Sequence, residues 1–369
     1  MASIQHLLDC GQSLWLDYVD RNLLTGGGLA RLIDEGLRGV TSNPTIFHQA
    51  ITGSNAYDEA ILDLIQADHE VDSETLYEWL AVQDIQMACD QLAHVHAASK
   101  GADGFVSIEV SPHLAHDTHR TVEQARHLWR AVHRPNAMVK VPATTAGLEA
   151  IETLTAEGIN VNVTLLFSVE RYEQVFHAWV RGLGQCDEPR NVASVASFFV
   201  SRVDGVVDPK LEAIGGDAKE HLHRAAIANA KMAYQSFERL RREPAFAEQE
   251  RRGARVQRPL WASTSTKDPN LSDTLYVDNL IGADTVNTVP PKTLDAFIEH
   301  GSAAVTIDEN LDQARATLAA LESHGVDMKA VAEHLEADGV QKFIDSHDAL
   351  VAALHDKIGE VTARYAAES

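Results

Sequence analysis

Two hydrophobic patterns alternate along the chain. Short apolar runs, each stopped by proline, glycine or a polar cluster, are separated by stretches whose apolar residues recur every three or four positions. The short runs predict strands at Ser13–Val19, Gly39–Asn43, Phe105–Val110, Met138–Val141, Ile159–Leu165, Val192–Phe199, Pro259–Ser263 and Thr285–Val289. The 3.6-period stretches predict helices at Leu29–Glu35, ended by Gly36, then from about Ala56 to Ser99, and at Thr118–Val132 with Asp117 or Thr118 as cap. Leu148, Ile151 and Leu154 mark one face of another. Ser168 opens one whose stripe is Tyr172, Val175, Phe176, Trp179 and Val180, closed by Gly182 and Gly184. Glu220–Leu240 and Leu275–Ile281 follow, and Leu294–Ala366 reads as amphipathic helix punctuated by Gly301, Gly325, Gly339 and Gly359.

Strands separated by helices imply parallel βαβ units, and eight units are what a closed (β/α)8 TIM barrel needs. The chain is long enough for additional helices, including a helical C-terminal extension. No repeat or composition break divides it, so residues 1–369 read as one domain. The rival is a doubly wound open sheet, which would carry a GxGxxG turn after its first strand. Gly26-Gly-Gly28 lacks that spacing, and no GxxxxGK phosphate loop is present.

Side chains of a strand alternate faces. Asn160, Asn162 and Thr164 therefore share a face, as do Ser107 and Glu109, and Thr41 and Asn43; Lys140 lies opposite Val139 and Val141, and Asp17 opposite Leu16. On one strand a polar face means only a solvated sheet surface. Five strands carrying carboxylate, lysine and carboxamide groups at similar depth instead suit a barrel mouth, where such folds place their active sites. Lys140 stands out. Burial of an amine favours its neutral form, and a neutral amine can attack a carbonyl to form a Schiff base.

Acidic residues outnumber basic ones by 54 to 31, a formal charge of −23, so the surface repels nucleic acid and anionic membrane. A substrate phosphate would need a local basic site within that shell. Three scattered cysteines, Cys10, Cys89 and Cys186, suit a reducing compartment. The first twenty residues lack the pattern of a signal peptide, and no run reaches the length of a membrane span. A cytoplasmic protein is expected.

At Gly39-Val-Thr-Ser-Asn-Pro-Thr-Ile-Phe47, Val139-Lys-Val-Pro-Ala143, Gly158-Ile-Asn-Val-Asn-Val-Thr-Leu-Leu-Phe-Ser168, Ala196-Ser-Phe-Phe-Val-Ser-Arg-Val-Asp204, Trp261-Ala-Ser-Thr-Ser-Thr-Lys267 and Asp284-Thr-Val-Asn-Thr-Val-Pro290 the sequence resembles transaldolases, in their longer bacterial branch. The resemblance covers essentially the whole chain. It implies a (β/α)8 barrel without cofactor or metal that moves a dihydroxyacetone unit between sugar phosphates. By it, Lys140 forms the Schiff base, Asp17 acts as general base and acid, and Glu109 shuttles protons through a water held by Thr164. Thr41, Asn43, Ser107, Asn162 and Ser197 would hold the three-carbon unit. Arg202, Ser263 and, at a looser match, Ser265 and Lys267 would contact phosphate, because the family's second phosphate arginine has no counterpart after Ser263. A monomer or homodimer, acting on sugar phosphates alone, is expected.

Other signals carry less. His113, His116 and His119 read as exposed loop histidines rather than metal ligands, and His94/His96 and His221/His223 as helix-surface pairs. The arginines between 239 and 258 interleave with glutamates as a solvated surface. Competing functions are a simple aldolase releasing free dihydroxyacetone, a glycoside hydrolase pairing Asp17 with Glu109, and a non-catalytic scaffold barrel.

Overall fold

In the computed structural model, which describes residues 4–67 and 71–368, eight parallel strands close a barrel in chain order. They are β1 Gln12–Leu16, β2 Gly39–Val40, β3 Phe105–Glu109, β4 Ala137–Pro142, β5 Val161–Leu166, β6 Ser194–Phe199, β7 Arg258–Ala262 and β8 Thr285–Val289. All eight predicted strands are present. The second is the most shortened: Thr41 N still donates to Leu16 O at 2.8 Å, but Ser42 and Asn43 leave the ladder, and the Asn43 side chain caps the helix Pro44–Thr52, accepting from Ile46 N at 3.0 Å. β2 lies tight against β1, and a Cβ at Gly39 would fall 2.5 Å from the Trp15 indole.

The crossover helices bury their predicted stripes. Thr118–Val132 is capped by Asp117, Thr145–Ala156 buries Ile151 and Leu154, and Val169–Gln185 is capped by Ser168. Several boundaries differ from expectation. The predicted 56–99 helix is two helices, Asp58–Ala67 and Ser73–Ala98, and residues 68–70 lie outside the described part. The helix after Ser168 runs through Gly182 and Gly184, and the 220–240 helix starts at Ala225, after a 3-10 turn over Gly216–His221. Ser201–Ile214 and Pro244–Arg251 are helices that apolar periodicity alone does not announce. Their polar content is high, and the second lies inside the arginine-rich connector. There Arg239 meets Glu173 at 2.6 Å and Glu243 at 2.9 Å, while Arg242 meets Glu238 at 2.7 Å.

After β8 come helices Pro291–His300, Leu311–Ser323 and Met328–Glu368. The last is unbroken at Gly339 and Gly359, contrary to expectation. It crosses the C-terminal end of the barrel, and Gly339 is what lets it come close: a Cβ there would stand 2.9 Å from Leu165 Cδ2 and 3.6 Å from Arg202 Nη1. Among the described residues no helix is long and apolar enough to cross a membrane.

The inner polar residues divide into two levels. At the N-terminal ends of the strands they close the floor. Asn160 donates to Pro135 O and Ala137 O, both at 2.9 Å, and accepts from Ala193 N at 2.8 Å. Asp103 takes hydrogen bonds from Ser13 and from Trp15 Nε1, and Arg258 Nη2 donates to Ser13 Oγ at 2.7 Å. Asn160 is therefore structural, although it shares a strand face with Asn162. The second level lies at the other end.

Candidate active site

Register sets that upper level. Glu109 pairs with Lys140 across β3 and β4, and Lys140 with Asn162 across β4 and β5. The apolar flanks of Lys140, Val139 and Val141, are fully buried and hold its backbone in place. The lysine is 5% exposed. Its Nζ donates to the carbonyl of Ser42 at 3.1 Å and reaches Glu109 Oε2 at 3.4 Å. The Ser42 contact has no signal in the sequence, because a backbone carbonyl carries no residue identity.

Behind the lysine, Asn162 is fully buried and bridges two hydroxyls, donating to Ser107 Oγ at 2.9 Å and accepting from Ser197 Oγ at 2.6 Å. Thr41 donates to Asp17 Oδ1 at 2.6 Å and so accepts from Thr288 at 2.7 Å. Asn43 spends its oxygen on the helix cap, which leaves its amide N–H groups for the cavity. β5 carries an irregularity where Leu165 adopts φ +62°, a rare conformation for a γ-branched residue. It follows directly on Thr164, whose Oγ1 is buried with no protein partner. Glu109 Oε1 is likewise without one.

A cavity of about 150 Å³ opens over this floor. Asp17, Thr41, Asn43, Lys140, Thr164 and Ser197 line its inner wall; Arg202, Ser263 and Ser265 line its outer part, and Phe343 of the crossing helix roofs it. Ser107 and Asn162 lie beneath the lining. Glu109 borders a neighbouring cavity of about 210 Å³. Lys267 is exposed and lies outside the lining, so the looser phosphate assignment does not bring it to the site. Ser263, at φ +55°, faces Ser201 with the two hydroxyls 3.0 Å apart.

Electrostatics follow from burial. Desolvation pushes the carboxyls of Asp17 and Glu109 above their ordinary range, opposed chiefly by Lys140 in both and by the Thr41 hydrogen bond in Asp17. Burial lowers Arg202 from its ordinary value against the pull of Asp338, Asp17 and Glu109. Its guanidinium stacks 4.9 Å from the Phe199 ring, and its buried Nη1 has no partner. A partly desolvated guanidinium with a free N–H, inside a chain of charge −23, is fitted to an anion. Phe343 lies 5.8 Å from Lys140 Nζ and 6.0 Å from the same guanidinium. Sequence reasoning missed Phe343 because a helix stripe gives no sign of which residue meets a distant strand.

The transaldolase/fructose-6-phosphate aldolase family model matches residues 14–354. The chain belongs to this family. It is 48% identical to a transaldolase of Parafrankia sp. (strain EAN1pec), over 96% of this chain and 98% of that protein. It is also 48% identical to a transaldolase of Thiobacillus denitrificans, covering 93% and 97%, and 44% identical to one of Neisseria meningitidis serogroup C, covering 96% and 100%. The glycoside hydrolase and scaffold readings are not favoured. Within the family's barrel, the second carboxyl of a glycosidase pair is the partner of a buried lysine.

Proposed function

We propose that this chain is a transaldolase whose nucleophile is Lys140. Membership of the family and the transaldolases matched along nearly their whole length support the activity. The observation that carries the residue assignment is a buried amine held between a carbonyl and a carboxyl, facing a cavity also lined by a guanidinium whose buried Nη1 has no hydrogen-bond partner.

Lys140 Nζ attacks the ketose C2 carbonyl, and loss of water gives the iminium. Glu109 moves the protons of that step through a water shared with Thr164, which would satisfy both orphaned oxygens. Asp17 takes the proton of the C4 hydroxyl, the C3–C4 bond breaks, and its electron pair enters the iminium to give an enamine. The aldehyde product leaves. An acceptor aldehyde then adds to the enamine carbon, Asp17 returns its proton to the new hydroxyl, and water hydrolyses the regenerated iminium, releasing the product ketose and Lys140. Raised carboxyl pKa values bring both acids nearer the range where one group gives and takes a proton at neutral pH. Thr41 fixes Asp17, while Asn43, Ser197 and the Ser107–Asn162 layer beneath hold the three-carbon unit, an orientational task. Arg202, Ser263 and Ser265 receive the phosphate. Sugar phosphates in a cytoplasmic setting, acted on by one barrel domain as monomer or homodimer, complete the reading.

Borohydride reduction in the presence of fructose 6-phosphate tests it. The expected result is a covalent three-carbon adduct on the peptide bearing Lys140, absent from Lys140→Ala, which is inactive. Asp17→Ala forms the imine and fails to cleave the carbon–carbon bond. Adduct loss in both variants would refute this division of roles.

A further inference from the structure

The 3-10 turn Pro112–Leu114 after β3 and the helix Met328–Glu368 meet at three side chains far apart in sequence. His113 Nε2 lies 2.6 Å from Asp348 Oδ1, and His347 Nδ1 lies 3.7 Å from the same oxygen. The donor atoms of all three fall within 4.8 Å of one another. His113 and Asp348 are exposed, whereas His347 is 5% exposed and its Nδ1 has no hydrogen-bond partner. We propose that His113, His347 and Asp348 form a binding site for a divalent cation of the zinc class, which pins the crossing helix to the turn after β3.

Two imidazoles and a carboxylate are a donor set suited to zinc and its neighbours rather than to calcium or magnesium. Bonds of about 2.0–2.2 Å in a tetrahedron place neighbouring ligand atoms roughly 3.3 Å apart. The 2.6 Å contact opens and the 3.7 Å contact closes, each by less than an ångström, and the His113–His347 separation, within 4.8 Å, adjusts to match. An ion pair between His113 and Asp348 accounts for those two side chains and leaves the buried His347 nitrogen at 3.7 Å from the same oxygen, too far for a hydrogen bond. A cation accounts for all three, with solvent in the fourth position. Neither His116 nor His119 joins the cluster: both are exposed, and His119 pairs with Glu123 at 3.4 Å. The ion would sit where it matters for the site. His347 borders the same 210 Å³ cavity as Glu109, and Phe343, one helical turn earlier, roofs Lys140. Occupancy would therefore fix the cover over the lysine without touching substrate.

The test uses full-length protein stripped with a chelator and titrated with Zn²⁺, with Co²⁺ as a spectroscopic substitute. The expected result is one saturable equivalent, a rise in melting temperature on zinc addition, and a visible cobalt absorption of low-symmetry four-coordinate type. His113→Ala and Asp348→Asn, both surface changes, should each weaken binding at least tenfold and abolish the thermal shift. His119→Ala, on the same segment but outside the cluster, should keep both. Affinity and thermal shift unchanged in His113→Ala, or lost equally in His119→Ala, would mean adventitious binding to surface histidines and overturn the proposal. So would the absence of saturable binding by the parent protein.

Discussion

Asn160 and Asn162 offer a sharp test, because they share a strand face and nearly equal burial but are assigned opposite duties. Asn162→Ala strands Ser107 Oγ and the Ser197 hydroxyl, which are 0% and 3% exposed. Each buried group left unpaired costs about 1–3 kcal/mol, so the two together cost about 2–6 kcal/mol before any term for the small void. At about 2 °C per kcal/mol for a large domain, the melting temperature falls by roughly 4–12 °C. Asn160→Ala removes three hydrogen bonds to backbone groups and should cost at least as much. The turnover rates should rank the other way. Asn162→Ala loses kcat, because the layer beneath the three-carbon unit is broken at the level of Lys140, while Asn160→Ala retains most of it at temperatures where it stays folded. Thermal melts alongside steady-state transfer from fructose 6-phosphate to erythrose 4-phosphate make the comparison. A thermodynamic cycle of Asn162→Ala with Ser197→Ala should show coupling of about 0.5–3 kcal/mol. If kcat instead tracked melting temperature identically in both variants, the division into floor and site would be wrong. Additivity of the cycle would remove the claim that Asn162 is the hub.

Two further predictions concern groups outside the reacting centre. Gly339→Ala places a methyl group 2.9 Å from Leu165 Cδ2 and 3.6 Å from Arg202 Nη1. It should lift the crossing helix and raise KM for phosphorylated substrates severalfold; an unchanged KM would show that the close approach is incidental. Asp204 is 2% exposed, accepts from Ala226 N at 2.7 Å and Tyr276 Oη at 2.9 Å, and is pushed by burial from 3.8 to about 6. Its folded-state pKa is raised, so its stabilising contribution is full below about pH 4 and is lost as pH rises through about 6. Asp204→Asn keeps both hydrogen bonds by reversing the one to Tyr276. Its stability relative to the parent should therefore grow by about 3 kcal/mol between pH 4 and pH 8. Urea unfolding across that range checks it, and a pH-independent difference would refute it.

The barrel was legible because its parallel strands are buried on both faces and read as apolar runs wherever a polar group is not needed. The polar exceptions then pointed to the site: Lys140, Glu109 and Asn162 stand in register, as their shared depth implied. Periodicity failed where another force sets the structure. Asn43 reads as strand but caps a helix, and Asn160 matches Asn162 in face but lies at the floor. Gly339 looks like a helix stop and is instead a point of close contact, since a glycine's local cost is offset by packing that only the fold displays. Lys267 was named from its distance along the chain after Ser263, and the turn carries it outward. Phe343, the Ser42 carbonyl and the meeting of His113 with His347 involve long-range approaches that no local pattern encodes.

The barrel is not uniformly knit. β2 is held by two registered pairs on each side, whereas β1 shares five with β8 and β6 five with β7. Directly beyond that narrow stave come Thr41, which donates to Asp17; Ser42, whose carbonyl accepts from Lys140; and Asn43, which lines the cavity. Beyond β2 the wall is therefore tied largely by side chains: Thr41 to Asp17 and Thr288, Ser42 Oγ to the Ser107 carbonyl at 2.8 Å, and Asn43 to its helix cap, so a substitution at any of the three loosens the wall two strands away from Lys140.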